Sequence, residues 1–269
     1  MTEPFLFHRG ETPLLVSLPH DSPHIPGPLA ARMTPAALQV ADTDWHVAKL
    51  YDFAAGLGAS VLCATHSRYV VDLNRDPAGG VLYPGADNTE IVPITTFEHE
   101  PIYRPGEEPD ADEIAERVAT CWAPYHTRLA EALAELRTRF GTAVLFDGHT
   151  IKSEVPRFFE GRVADLNIGT AEGAAAEDGL RRIVHRLLDA SPYDTVLDDR
   201  FTGGYITRHY GRPAEGVNAV QLELTWRCYM DEAPPFTYLP DRAAGLKAVL
   251  RPMLEAMRDW AMGRSSAAG

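Results

Sequence analysis

The sequence predicts an α/β protein in which buried strands alternate with amphipathic helices. Short apolar runs bounded by proline or glycine, of which residues 14–18 are the first, are typical of interior strands. Helical stripes of apolar residues follow some of these runs, and the clearest covers residues 110–140. The chain of 269 residues is long enough to bury the core of one large α/β domain or two small ones.

The first half of the chain contains predicted strands and a long loop. Apolar runs predict the strands, and the helix begins where short polar side chains can cap free amides. A segment without periodicity inside a compact domain is typical of a cover over an active site. The predicted elements are strands at 14–18, 60–64 and 69–73, a helix from Asp42–Asp44 to Gly58, and the cover at 77–109.

The second half continues the alternation. Pro124 and Pro252 fall inside helical stripes and should kink or divide them. The predicted elements are helices at 110–140, 180–188 and 241–262, strands at 143–146 and 217–224, and a short strand at 164–168.

Composition excludes some classes of partner. The sequence has 25 Lys and Arg against 38 Asp and Glu, a net charge of −13, which argues against nucleic acid or an anionic membrane surface. No run approaches the roughly 20 apolar residues that span a bilayer, and no basic-then-apolar signal opens the chain, so we expect a cytoplasmic protein. The three cysteines lack metal-ligand spacing and are expected to be reduced.

Several chemically active residues stand at the ends of predicted elements. His20 and His149 each follow an apolar strand, and Arg75 follows the run at 69–73. A lone histidine at a turn is more often structural, so these residues matter only if they converge. Asp42 and Asp44 are both N-cap candidates, which leaves open which of the two carboxylates has another role.

These residue types match a hydrolase with a single metal ion. Two histidines and a carboxylate hold zinc and leave one position for water, whose pKa the metal lowers. Glu223 lies between two leucines of an apolar strand, a costly place for a carboxylate, and fits a general base that is not a ligand. Arg75 could grip a substrate carboxylate with its planar fork of donors. No HExxH, GxSxG, Walker or Rossmann pattern is present.

The chain resembles the N-formylglutamate amidohydrolases in segments spread from Leu14 to about Tyr229. The family looks like a distant relative of the zinc carboxypeptidases, which implies a central mixed β-sheet flanked by helices and one catalytic domain over residues 1–269. The matching segments are Ser17-Leu18-Pro19-His20, Asp42-Thr43-Asp44-Trp45-His46, 67–75, Tyr125-His126, Asp147-Gly148-His149-Thr150, 203–211 and Gln221-Leu222-Glu223-Leu224.

The resemblance implies a role for each matching residue. The metal ligands would be His20, His149 and a carboxylate, with zinc the favoured ion. In the carboxypeptidases that carboxylate is a glutamate three residues after the first histidine, but this chain has Pro23 there, so Asp44 takes its place, with Asp42 as the alternative. The other expected roles are general base for Glu223, carbonyl polarisation or carboxylate binding for Arg68, and substrate binding for Asn74, Arg75, Arg208 and Gly204.

The activity implied is hydrolysis of N-formyl-L-glutamate to formate and glutamate in histidine degradation. A second interpretation keeps the site but takes another N-acyl amino acid or a small peptide end. A third is a non-catalytic small-acid binding protein, against which Glu223 argues, because binding alone needs no general base. We expect structural roles for His24 and His46, while those of His126 and His209 and the oligomeric state stay open. The loop after His20, Asp21-Ser22, departs from the small residues usual in the family.

Overall fold

A seven-stranded mixed β-sheet forms the centre of the protein. The computed structural model describes residues 3–82, 85, 87–158 and 160–267, with side chains described as far as residue 264. Tyr83, Pro84 and Ala86 of the predicted cover lie outside the described residues. The sheet order is β1-β3-β2-β4-β7-β5-β6. The strands are β1 (Phe5–His8), β2 (Leu14–Leu18), β3 (Ser60–Ala64), β4 (Ala143–Ile151), β5 (Leu166–Gly169), β6 (Thr195–Leu197) and β7 (Val217–Thr225).

The middle of the sheet is parallel and brings three strand ends to one edge. β2 pairs with β4 and β4 with β7, both in parallel, whereas β1 pairs with β3 and β5 pairs with β7 antiparallel. Ser17 is in register with Asp147, and His149 with Glu223. Because the carboxyl ends of parallel strands meet at the same edge, the residues that follow or end these strands lie close together.

Helices cover both faces of the sheet. Even-numbered residues of β2 and β4, such as Leu14 and Phe146, pack in one core with α5 and α7, and odd-numbered ones, such as Leu145, pack in a second core with α4. This alternation follows from the two-residue period of a strand. The helices are α1 (Gly27–Ala30), α2 (Val47–Leu50), α3 (Ala111–Arg117), α4 (Ala123–Phe140), α5 (Asp178–Asp189), α6 (Tyr205–Tyr210) and α7 (Pro240–Ala267).

The predicted α/β class with a mixed, helix-flanked sheet is confirmed, but one predicted strand is wrong. Residues 69–73 form a turn and extended loop, in which Asp72 N bonds Ile91 O. Tyr69 and Val70 are buried in a cluster with Met33 and Tyr103, and Val71 is buried in the core that contains α4. Burial alone gives the same apolar pattern as a strand.

Other boundaries also differ from the predictions. The helix expected from residue 44 to Gly58 is the short α2 and a separate 3-10 turn at Ala55–Leu57. The region 110–140 is divided before Pro124, by a π-helical turn at Val118–Trp122, while Pro252 lies inside α7. β1 and β6, at the two edges of the sheet, were not predicted. None of the helices in the described part of the chain has the length and apolarity to cross a bilayer.

Candidate active site

His20 and His149 meet at the carboxyl edge of the sheet. His20 follows β2, His149 lies in β4, and their ring centroids are 5.1 Å apart. Both side chains are almost fully buried, at 2% and 3% exposure. The two histidines therefore point to one place, as the metal hypothesis requires.

Asp44 completes a group of three possible ligands. Its Oδ2 lies 3.1 Å from Nδ1 of His149 and 3.6 Å from Nδ1 of His20. One donor atom from each of the three side chains lies within 4.8 Å of the others. The alternative carboxylate, Asp42, is occupied elsewhere, because its Oδ2 accepts hydrogen bonds from Tyr69 Oη at 2.8 Å and Phe97 N at 2.9 Å.

A second carboxylate orients each histidine. His20 Nε2 donates to Asp72 Oδ1 at 2.8 Å, and His149 Nε2 donates to Asp147 Oδ2 at 2.9 Å. With Nε2 bound to its own carboxylate partner, Nδ1 of each ring faces Asp44. Such carboxylate partners fix ring orientation and raise the basicity of metal-binding histidines.

The donor set fits a divalent metal ion. His20 Nδ1 is buried and has no hydrogen-bond partner among the described residues, a costly state for a polar atom unless something binds it. Burial alone would raise the pKa of Asp44, but the facing rings of His149 and His20 lower it to about 2, so its carboxylate is ionised. Two imidazoles and one carboxylate are a typical ligand set of catalytic zinc.

Glu223 lies beside this group on the neighbouring strand. It stands opposite His149 in the β4–β7 register, lines the same cavity and is 8% exposed. Burial, with the negative charge of Asp44, raises the pKa of the Glu223 carboxyl to about 8 despite the opposing effect of His149. A carboxyl with a pKa near neutrality can both accept and return a proton.

Arg68 and Asp72 form a buried ion pair next to the histidines. Arg68 Nη2 donates to Asp72 Oδ2 at 2.6 Å, and the guanidinium also lines the cavity. Burial opposes ionisation of Asp72, but Arg68, Arg75 and His20 hold its pKa well below the usual range. The one carboxylate of Asp72 thus joins His20 to Arg68, the arginine expected either to polarise the carbonyl or to bind a substrate carboxylate.

Asn74 and Arg75 occupy the next part of the cavity wall. Asn74 Oδ1 accepts from Ile206 N at 2.8 Å, and Asn74 Nδ2 lies 3.2 Å from His149 Nε2. Arg75 is held by Thr89, with Nη2 donating to Oγ1 at 2.7 Å and Nε donating to the carbonyl oxygen at 3.2 Å. Both residues line the cavity, as predicted for substrate-binding groups.

Gly204 also lines the cavity, and its lack of a side chain has a clear reason. A Cβ there would lie 2.2 Å from Asn74 Nδ2, so only glycine lets α6 approach Asn74. Gly148 lies within β4, where a Cβ would lie 2.8 Å from Leu18 Cδ2.

Some expected residues do not reach the cavity. Arg208 is exposed, does not line the cavity, and donates to Gly203 O and Thr202 Oγ1. His126 supports the structure by donating from Nε2 to Leu73 O at 2.8 Å. His46 bonds Phe236 O, which agrees with the structural role expected for it, and His24 and His209 are exposed and do not line the cavity.

Sequence reasoning missed several residues of the site. Asp72 interrupts the apolar run 69–73 in the same way that Glu223 interrupts its strand. The signal that pointed to Glu223 could therefore also have identified Asp72. Phe97 and Arg200 line the cavity, but each lies in a loop without periodicity that would have singled it out. The predicted cover does reach the cavity, through Leu82, Asp87, Asn88 and Phe97.

The chain is similar to proteins of one known family. Residues 12–230 match the family model described as N-formylglutamate amidohydrolase. A protein from Pseudomonas aeruginosa named N-formylglutamate deformylase is 45% identical over 265 residues, covering 98% of this chain and 99% of the relative. A protein of the same name from Pseudomonas putida is 43% identical over 259 residues, covering 96% and 97%.

Solved structures agree with the sequence comparison. The crystal structure of N-formylglutamate amidohydrolase from Ralstonia eutropha JMP134 matches with a TM-score of 0.82 and 25% identity, covering 96% of this chain and 98% of the other. A gene product of Agrobacterium tumefaciens matches with a TM-score of 0.72 at 17% identity, over 95% of this chain and 94% of the other, which shows the shared fold alone.

Proposed function

Because the chain belongs to the N-formylglutamate amidohydrolase family, we propose that it hydrolyses N-formyl-L-glutamate to formate and L-glutamate. We further propose that one divalent metal ion, with zinc favoured, is held by His20, Asp44 and His149. The reaction would serve histidine degradation, as the resemblance implies. Full-length identity of 45% to a protein named N-formylglutamate deformylase supports the activity. The single structural observation that carries the proposal is the convergence of the three ligands beside Glu223.

The cavity suits a small anionic substrate. It has a volume of about 300 Å³, at the low end for ligand pockets. Three arginines line it, Arg68, Arg75 and Arg200, within a chain of net charge −13. N-Formylglutamate carries two carboxylates, and guanidinium groups bind carboxylates with paired, charge-assisted hydrogen bonds. Arg75 and Arg200 are the proposed carboxylate contacts, since Arg68 lies against Asp72 next to the metal ligands.

The residues of the site divide the chemistry between them. When bound, the metal supplies Lewis acidity, which polarises a carbonyl group and lowers the pKa of water. Glu223 takes a proton from the water that adds to the formyl carbon. Arg68 donates hydrogen bonds to the formyl oxygen as negative charge develops there. Asn74 and Arg75 hold the glutamate part in place.

The second half of the reaction breaks the amide bond. Glu223 returns its proton to the amide nitrogen, the carbon–nitrogen bond breaks, and glutamate leaves with an amino group. The formyl carbon leaves as formic acid, which loses a proton to become formate. A divalent cation near Glu223 would lower the carboxyl pKa from its value of about 8 and so favour the ionised base.

The test is formate release by the purified protein, with metal content measured on the same sample. We expect turnover of N-formyl-L-glutamate, lost on chelation and restored by a divalent metal. N-Formyl-L-glutamine and N-formylglycine, which lack the side-chain carboxylate, should be hydrolysed less efficiently. Faster cleavage of another N-acyl amino acid or of a peptide end would favour the second interpretation. Binding of N-formylglutamate without turnover by metal-loaded protein would contradict enzymatic function.

A further inference from the structure

One wall of the cavity is apolar although the proposed substrate is a dianion. Two phenylalanines, Phe97 and Phe158, meet there edge to face with ring centroids 4.9 Å apart, and Ile151 belongs to the same apolar cluster. All three side chains line the cavity. A wall of this kind cannot bind carboxylates, so it must face an uncharged part of the substrate or exclude something larger.

Phe97 lies next to the arginine that faces the reacting carbonyl. The guanidinium carbon of Arg68 is 4.8 Å from the centre of the Phe97 ring, within the range of a cation–π contact. If Arg68 holds the formyl oxygen, the group on the other side of the acyl carbon must share this space with the Phe97 ring. In N-formylglutamate that group is only a hydrogen atom.

From this placement we propose that Phe97, backed by Phe158, restricts the acyl group to formyl by occupying the space that the methyl group of an acetyl substrate would need. The proposal rests on the proposed function and identifies the residue that sets its acyl specificity. Phe97 limits which substrates react, and it does not act on the reacting atoms.

Two backbone hydrogen bonds and one side-chain ion pair hold the segment that carries Phe97. Phe97 N donates to Asp42 Oδ2 at 2.9 Å. The carbonyl oxygen of Thr96 accepts from Arg157 Nη1 at 2.7 Å, and Glu98 pairs with Lys152 at 2.7 Å.

The anchors themselves are well held. Arg157 also forms a two-pronged pair with Asp87, at 3.1 and 3.0 Å, and its side chain is 4% exposed. Asp42, the alternative metal ligand from the sequence, therefore has a different role in the site, because it holds the backbone of Phe97. A rigid wall discriminates by size better than a mobile one, because an oversized group cannot push it back.

The experiment compares kcat/KM for N-formyl-, N-acetyl- and N-propionyl-L-glutamate in the wild-type protein and in Phe97→Ala and Phe97→Leu. We expect the wild type to favour the formyl compound strongly. Phe97→Ala should raise the acetyl-to-formyl ratio at least about tenfold, since one methyl group in a tight pocket is worth roughly 10- to 200-fold. Phe97→Leu, a smaller change that preserves an apolar wall, should raise the ratio less and guards against a folding defect in the alanine variant.

Phe201→Ala is the matched control, because Phe201 packs on the same cluster and lines the cavity, whereas the ring that lies against Arg68 is that of Phe97. The acetyl-to-formyl ratio of kcat/KM in Phe201→Ala should stay within about twofold of the wild-type value. The proposal is overturned if neither Phe97 variant changes the ratio, if Phe201→Ala changes it equally, or if the wild type cleaves N-acetylglutamate as well as N-formylglutamate. A wild type that releases no formate would instead contradict the proposed function.

Discussion

Replacing Asp72 with asparagine tests how far the site depends on a residue that touches neither metal nor substrate. Asp72 is fully buried and accepts hydrogen bonds from His20 Nε2 at 2.8 Å, Arg68 Nη2 at 2.6 Å and Asn74 N at 2.9 Å. Asp72→Asn keeps the shape and one acceptor oxygen. It removes the charge and turns an NH₂ group toward one of the donors.

Asp72→Asn should lower both the stability of the fold and the affinity for the metal. Arg68 is 7% exposed and would remain as a buried cation without its carboxylate, which typically costs about 3 to 5 kcal/mol of stability. The retained acceptor argues for the low end, about 3 kcal/mol, or a fall in Tm of roughly 6 to 12 °C for a domain of this size. His20 would lose the partner that fixes its ring, so metal affinity should fall about 10- to 100-fold.

Two measurements separate these effects. Denaturation of metal-free protein reports the loss of stability, and competition with a chromogenic chelator reports the metal affinity. Asp76→Asn is the matched control, because its partly exposed carboxylate accepts a hydrogen bond from Ala78 N in the same loop. It should leave metal affinity unchanged. If Asp72→Asn bound metal within twofold of the wild type, the proposed orientation of His20 by Asp72 would be wrong.

Substitutions at three other residues should give distinct results. Glu223→Gln should keep metal binding and lower kcat about a hundredfold or more, and normal turnover would remove Glu223 from the mechanism. Arg75→Ala should raise KM for N-formylglutamate at least about tenfold, with kcat reduced less. Arg75→Lys should restore only part of the lost substrate binding. If Arg75→Ala lost as much activity on the carboxamide analogue as on N-formylglutamate, Arg75 would be structural. Burial lowers the pKa of His126 to about 4, so the unfolded chain gains the proton first as pH falls, and stability is lost between about pH 6.5 and 4. His126→Gln should flatten this pH dependence in denaturant titrations, and an unchanged slope would assign the acid sensitivity elsewhere.

The interior of the fold was predictable because burial leaves a periodic signal. β2, β3 and β7 carry buried apolar runs, and they were placed within a residue or two. The edge strands β1 and β6 are half-exposed and short, so they carry no such signal. The run at 69–73 shows the opposite error, since its apolar residues are buried without being paired in a sheet.

The candidate site was predictable where the reacting side chains interrupt or end a strand. His20, His149 and Glu223 converge because β2, β4 and β7 are parallel neighbours, an order that the sequence alone does not reveal. The place of Phe97 at the cavity could not be predicted, because its loop is held there by a hydrogen bond from Phe97 N to Asp42, 55 residues away in the chain. Long-range contacts between loops leave no local periodicity to read.

Asp72 also connects the metal side of the cavity to the substrate side, and this connection predicts how variants combine. Arg75 Nη1 lies 3.9 Å from Asp72 Oδ2, the oxygen that also accepts from Arg68. If Asp72 helps to orient Arg75, part of the KM penalty of Arg75→Ala is already present in Asp72→Asn. The double variant, with metal at saturation, should then lose less transition-state binding than the sum of the single variants, by more than about 0.5 kcal/mol. Kinetics of the four proteins on N-formylglutamate measure this coupling, and additive losses would mean that Asp72 does not orient Arg75.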